Sequence, residues 1–251
     1  MDGGIFSLTS KDASLKADSF VPETYQAVLW TSGFDVTSKA LSRLASSSWS
    51  STFDGDPTLI PSGQKLPVEV PKLSIASTDE RWRLQIGTSR AELLWQRVGD
   101  AASVSAADFA SISTKTLREY LAESDELVVS RLAFVTRRFS IVPEPAKEIA
   151  RYFVRDEILG GPLKRPNEFQ LNAHKVYQPE NMPTVNSWIR WRNGFLAPTG
   201  EPVVTVEQDL NTLADAQQSF AIDKIGDFLT RAPNEANSIL AYYLSFDNPP
   251  S

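Results

Sequence analysis

His174 is the one histidine in the chain, and cysteine is absent. A site built on two imidazoles or on thiolates is therefore excluded within one chain, together with disulfides and a cysteine nucleophile. A single imidazole can still act as a general base, but His174 reads better as a structural or surface residue. No serine stands in a Gly-x-Ser-x-Gly elbow. Neither Gly-x-Gly-x-x-Gly nor a phosphate loop ending in Gly-Lys-Ser or Gly-Lys-Thr occurs, so the glycines do not spell a nucleotide cradle. Gly160-Gly161 follows a helical pattern and reads as its terminator, whereas an anion site needs the free amides of a helix start. Asp54, Asp56, Glu207 and Asp209 are candidate oxygen ligands for a hard cation. Asp54-Gly55-Asp56 lacks the later ligands of a calcium loop, however, and reads as a solvated turn. The sequence thus assigns no catalytic residue, no metal and no cofactor.

The arginines and tryptophans carry more. Arg81, Arg83, Arg90 and Arg97 fall in one hairpin, Arg131, Arg137 and Arg138 in a long strand pattern, and Arg190 and Arg192 in a third. Trp82, Trp95, Trp188 and Trp191 are interleaved with them. Such a surface can hold phosphates on guanidinium groups and stack bases on indoles, or anchor a protein partner. Alternating tryptophans also pack cores, and Glu92, Glu207 and Asp209 are positioned to consume arginines in cross-strand ion pairs. Binding candidates are Arg83, Arg97, Arg131, Arg137, Arg138, Trp188, Arg190, Trp191 and Arg192. Strand alternation puts Arg131 and Arg137 on one side and Arg138 on the other.

The elements that must position these residues are set by pattern. The chain has 251 residues, 41% hydrophobic and 22% charged, which is globular composition with enough length for a large core. Its net charge of -6 disfavours non-specific attraction to phosphate backbones or anionic lipid and favours protein or small-molecule partners. Met1 to Asp18 lacks the charged-then-apolar order of a signal peptide, and no stretch approaches the ~18 apolar residues of a membrane span. With cysteine absent, this points to a cytoplasmic protein and no membrane partner.

Tyr25 to Trp30 reads as a strand followed by the turn pair Ser32-Gly33, and Asp35 caps a helix running to about Ser48. A mobile loop rich in serine, glycine and proline spans Ser50 to Pro67. Strands follow at Val68 to Ala76, Trp82 to Gly87 and Ala91 to Val98. In the second of them Trp82, Leu84 and Ile86 alternate with Arg83 and Gln85, the period of a half-buried strand. A helix from Ser105 to Glu123 carries Phe109, Ile112, Leu117, Tyr120 and Leu121 at helical spacing, with Ser105 and Asp108 as its cap. From Leu127 the pattern restarts with a long strand and then a helix from Ala146 to Leu159. Strands at Glu168 to Tyr177, Val185 to Leu196 and Pro202 to Thr212 come next. A last helix, Ser219 to Leu244, should kink or restart at Ala232-Pro233.

Each half therefore reads strand, helix, three strands, helix, an inferred duplication without visible sequence identity. The expected fold class is α+β: a curved antiparallel sheet with helices packed on one face and the other face open. Residues 1–20 form a leader, 21–125 and 126–246 two halves fused into one globular domain, and 247–251 a tail.

The segments RLQIGTSRAELLWQRV (Arg83 to Val98), VSRLAFVTRRFSIVP (Val129 to Pro143) and VVTVEQDLNT (Val203 to Thr212), with the closing helix, resemble a sporadically distributed bacterial family of uncharacterised function. Where that family carries an arginine-tyrosine-isoleucine-asparagine stretch, this chain has Thr136, Arg137, Arg138 and Phe139. The resemblance carries no catalytic residue across, and its scatter among bacteria implies an accessory role in defence or toxin control. The element order is also similar to the saddle of the TATA-binding-protein fold, an analogy that does not license function. The leading expectation is a non-enzymatic module that engages a protein partner through the open sheet. The alternatives are a nucleic-acid or nucleotide binder using the same face, and a metal-dependent hydrolase or nuclease with dispersed carboxylates.

Overall fold

The computed structural model describes residues 15–32, 37–45, 52–60, 70–99, 102–122, 127–161, 164–197, 199–215 and 218–245. The expected leader up to residue 14, the cap at Asp35, the loop from 61 to 67 and the tail lie outside the described residues.

The fold is α+β. Its strands are β1 (Val21–Ser32), β2 (Thr58–Leu59), β3 (Leu73–Ala76), β4 (Trp82–Ile86), β5 (Arg90–Gln96), β6 (Val128–Ile141), β7 (Gln170–Tyr177), β8 (Val185–Leu196) and β9 (Glu201–Thr212). The helices are α1 (Ser38–Ala45), α2 (Ala106–Leu121), α3 (Pro145–Phe153), α4 (Asp156–Leu159) and α5 (Ile222–Leu244). All nine strands join one antiparallel, unclosed sheet in the order β2-β3-β4-β5-β1-β6-β9-β8-β7. The long strands β1 and β6 lie side by side at its centre, with Ala27 opposite Phe134 and Leu29 opposite Leu132.

Alternation sorts the side chains into two faces. One carries Tyr25, Ala27 and Leu29 of β1, Leu84 and Ile86 of β4, Leu93 and Trp95 of β5, and Phe134 and Leu210 of β6 and β9, all buried. These pack with Phe109, Leu117 and Tyr120 of α2 and with Ile225, Phe228 and Leu229 of α5 in one apolar cluster. A second cluster on the same side sets Ile149 of α3 and Leu240 of α5 against Ile189, Trp191, Val204 and Val206. Each such large side chain removed from water contributes about 1.5–3 kcal/mol, which is why the helices lie on this face. Among the described residues no helix packs on the other face.

Local chemistry explains most boundaries. Ser105 caps α2, its hydroxyl accepting from the Asp108 amide at 3.0 Å. The expected helix from Ala146 to Leu159 is instead two pieces. Val154 takes extended φ/ψ after α3, while the Phe153 ring is held 5.3 Å from Trp191, so the apolar stripe continues past a break in the backbone. Conversely, α5 runs unbroken through Pro233, which is buried at the groove between α5 and Ala110 and Thr114 of α2, so packing overrides the missing backbone donor.

The Ser50 to Pro67 stretch was expected to be a mobile loop; its described part is tied down. Phe53 is buried in the core. The Gly55 amide donates to the Ala76 carbonyl at 3.0 Å. Asp54 accepts from the Thr78 amide at 2.7 Å and the Thr78 hydroxyl at 2.9 Å. The solvated turn at Asp54-Gly55-Asp56 is thus a latch on the β3–β4 connection, and the carboxyl of Asp54 is held below the usual range by those Thr78 bonds.

Candidate functional site

The uncovered face follows from the same alternation. On β1 it presents Gln26, Val28 and Trp30; on β6, Arg131, Ala133, Val135, Arg137 and Phe139; on β8, Trp188, Arg190 and Arg192. Cross-strand register arranges these in rows. Trp30 stands opposite Arg131, and the guanidinium lies 4.6 Å from the centre of the indole. Three strands further out than β1, on β8, the arrangement recurs, with Arg190 5.1 Å from the Trp188 ring. His174, opposite Trp188 on β7, stacks on the same indole at 4.2 Å. Each guanidinium–indole contact contributes ~0.5–1 kcal/mol at such half-exposed positions and, more usefully, fixes the orientation of both groups.

An apolar floor runs along β1, β6 and β9 on this face. Val28 and Ala133 lie between the two indole rows and Phe139 and Val203 beyond the Trp188 row; all four are below a tenth exposed, no helix among the described residues covers them, and none belongs to the helix-side clusters.

Acidic and amide groups hold the rim. Arg190 pairs with Glu207 at 2.7 Å, and Arg137 with Glu23 at 2.7 Å. Arg90 pairs with Glu92, which also accepts from Gln26 at 2.5 Å. Arg131 donates to Asn211 Oδ1 at 2.6 Å, while Asn211 donates to Asp209 at 2.8 Å. Arg83, Arg90, Arg131, Arg137, Arg190 and Arg192 thus share this face with Glu23, Glu92, Glu201, Glu207 and Asp209, a near balance of charge where the whole chain is acidic.

The candidates named from sequence divide accordingly. Arg83, Arg131, Arg137, Trp188, Arg190 and Arg192 share the uncovered face. Arg138 and Trp191 do not, and their place on a binding surface is corrected. Arg138 is 3% exposed beneath α5, and its guanidinium donates to Gln208 Oε1 at 2.8 Å and Asn237 Oδ1 at 2.6 Å. Burial lowers its pKa, opposed by the neighbouring Tyr25 hydroxyl, whose own pKa burial raises. Trp191 is fully buried among Phe20, Phe153 and Tyr243. Arg97 lies one residue past β5 and donates to Ser103 Oγ at 2.7 Å, away from the rows.

Trp30 and His174 are members of the face that sequence reasoning left out. For Trp30 the signal was present: Gln26, Val28 and Trp30 alternate with the apolar Tyr25, Ala27 and Leu29. The pairing of His174 with Trp188 depends on the β7–β8 register, which spacing alone does not supply.

Among the described residues no group of three or more His, Asp or Glu side chains is placed to hold a metal ion. Also among them, no helix is long and apolar enough to cross a membrane. No protein-family model matches the chain, and no curated protein matches it.

Proposed function

We propose that the chain is a non-enzymatic binding module whose uncovered sheet face engages a protein partner. The observation that carries this reading is the pair of braced indoles, Trp30 on Arg131 and Trp188 against His174 and Arg190, on a face whose apolar residues Val28 and Ala133 are recessed between them. Tryptophan and arginine are the residue types that most often anchor protein interfaces, and side chains already locked in place lose little entropy on binding. The reading takes the chain as a duplicated unit. The order outward from the β1–β6 pair supports it: β5-β4-β3 on one side is matched by β9-β8-β7 on the other. The reading sets the module in the cytoplasm, in keeping with the absence of cysteine, and in defence or toxin control, which the resemblance to a sporadically distributed bacterial family supports.

A photo-crosslinking residue in place of Arg192, on the uncovered face, tests this in the native cell against the same residue in place of Arg231 on α5. The expected result is a discrete protein adduct from position 192 and none from 231. Absence of any adduct from 192 removes the reading.

The second reading is a nucleic-acid binder using the same face, supported by the arginines that stand beside aromatic rings there, Arg131 at Trp30 and Arg190 at Trp188. Its mark is affinity for single-stranded oligonucleotides that falls steeply with added salt. No binding at low salt eliminates it. The third, a metal-dependent hydrolase, draws on carboxylates that are already engaged: Asp54 by Thr78, Glu207 by Arg190 and Asp209 by Asn211.

A further inference from the structure

The two ends of the sheet differ. At one end β2 is only two residues long, with Pro57 directly before it. At the other end β7 is eight residues long, pairs with β8 without a bulge from Gln170 to Tyr177, and is last in the strand order. Half of its backbone amides and carbonyls therefore point outward, with no strand among the described residues to receive them, a template for a further strand.

On the helix side a cleft of about 390 Å³ runs along this edge, between β7 and α5. Ala173, Tyr177 and Ile189 form its sheet wall, and Glu235, Ile239 and Tyr242 its helix wall. The Tyr177 hydroxyl donates to Glu235 at 2.5 Å, so the acid of the cleft is engaged within the protein. Lys175 is not matched in this way. Its ammonium stands 4.8 Å from the centre of the Tyr177 ring, is exposed, and forms no ion pair among the described residues.

We propose that β7 and α5 bind an extended peptide carrying apolar and acidic side chains, by addition of a tenth strand to the sheet. The peptide backbone pairs with the outer edge of β7. Along an added strand every second side chain falls on the helix side, about 7 Å apart. One of these, large and apolar, enters the cleft beside Ala173 or Tyr177; the next, two residues along, is a carboxylate that meets Lys175. Alternate side-chain pockets beside an edge strand supply specificity while the main chain supplies affinity. A second copy of the chain is a poorer occupant. The helix-side residues of its β7 are Leu171, Ala173, Lys175 and Tyr177, which bring no carboxylate to Lys175. This site is separate from the uncovered face and does not rest on the function proposed for it.

The test pans a random octapeptide phage library against the full chain, then titrates the enriched peptides by fluorescence anisotropy. The expected peptides carry a large apolar residue two positions from Asp or Glu. Ser238→Trp, at an exposed helix position that fills the cleft mouth, and Lys175→Glu each weaken binding about tenfold or more, the size expected for loss of an anchor or a charge pair. Exchanging the peptide acid for lysine restores binding to Lys175→Glu. Trp188→Ala leaves it unchanged, and bound peptide slows amide exchange along β7. Three outcomes overturn the proposal: no enrichment above background, peptides indifferent to both substitutions, or β7 amides that become protected on raising protein concentration alone.

Discussion

Arg138 and Arg137 are adjacent in sequence and lie on opposite sides of the sheet, one bonded to Gln208 and Asn237 beneath α5, the other paired with Glu23 at the surface. The Gln208 side chain in turn donates to the Ala236 carbonyl at 2.7 Å, so Arg138 joins β6, β9 and α5 through one buried network. Arg138→Ala leaves the Gln208 oxygen without its donor and destabilises the fold by roughly 3 kcal/mol. Arg137→Ala costs at most about 1 kcal/mol, because its ion pair is half exposed. Urea unfolding midpoints of the two variants check the contrast; equal midpoints would contradict it.

The same division holds for Trp188 and Trp191. Trp191→Ala opens a cavity among Phe20, Phe153 and Tyr243 and costs about 3–5 kcal/mol. Trp188→Ala removes only the stacking with His174 and Arg190, leaves the thermal midpoint within a few degrees, and weakens partner binding through the uncovered face. Thermal melts paired with crosslinking yield at position 192 separate the two effects.

Gly55 allows segment 53–56 to lie on β3. A Cβ at this position would stand 2.6 Å from the Ala76 carbonyl oxygen, a backbone atom that cannot swing aside. Gly55→Ala therefore lifts the latch, exposes Phe53 and costs roughly 1–3 kcal/mol. Faster protease cleavage near Asp54 is the simplest readout, and unchanged cleavage would show that the segment accommodates the methyl group.

Acid loosens the same latch. Hydrogen bonds from the Thr78 amide and hydroxyl lower the pKa of Asp54, and the Ser77 hydroxyl, chiefly, lowers that of Asp79. For a carboxyl whose folded pKa lies below its unfolded value, the stabilisation is complete above the ordinary value of 3.8 and is lost as pH falls through the lowered one. Amide exchange at Thr78, corrected for its intrinsic pH dependence, should accelerate below about pH 3.8 in the native chain and be fast at pH 6 in Asp54→Asn.

Tyr120 gives the opposite sign. Burial pushes its hydroxyl up to about 12, against a bond with Thr31 Oγ1 at 3.1 Å that favours the ionised form. A raised folded pKa means the stabilisation is intact below pH 10 and disappears as pH rises from 10 towards 12. Tyr120→Phe loses about 1 kcal/mol at neutral pH through the abandoned Thr31 hydroxyl. Its stability then declines less steeply than the native chain above pH 10, a difference that denaturant titrations at both pH values measure.

How far this was readable beforehand depended on range. Trp82, Leu84 and Ile86 against Arg83 and Gln85 gave the two faces of β4 directly, since alternation is a local property. The opposition of Arg137 and Arg138 was equally legible. What stayed hidden was the pairing of Arg138 with Gln208 and Asn237, 70 and 99 residues away, without which a buried arginine looks like a surface one. Trp188 and Trp191, three apart, were grouped as one surface although a strand sends them to opposite faces. Strand β2 escaped because two residues carry no period, and its partner Leu73 is known only from the register. Val154 ended α3 early although the apolar stripe ran on to Ile158, because periodicity records which side faces the core but not whether the backbone stays helical.

The unequal ends of the sheet also limit how copies of this chain can aggregate. With β2 too short to serve as an acceptor, the described residues offer a single edge strand, β7, for lateral growth. Head-to-tail propagation into a fibril needs two such faces, one at either extremity. Edge-to-edge contact between copies therefore cannot propagate past a symmetric pair, which denies the folded protein a route to filaments.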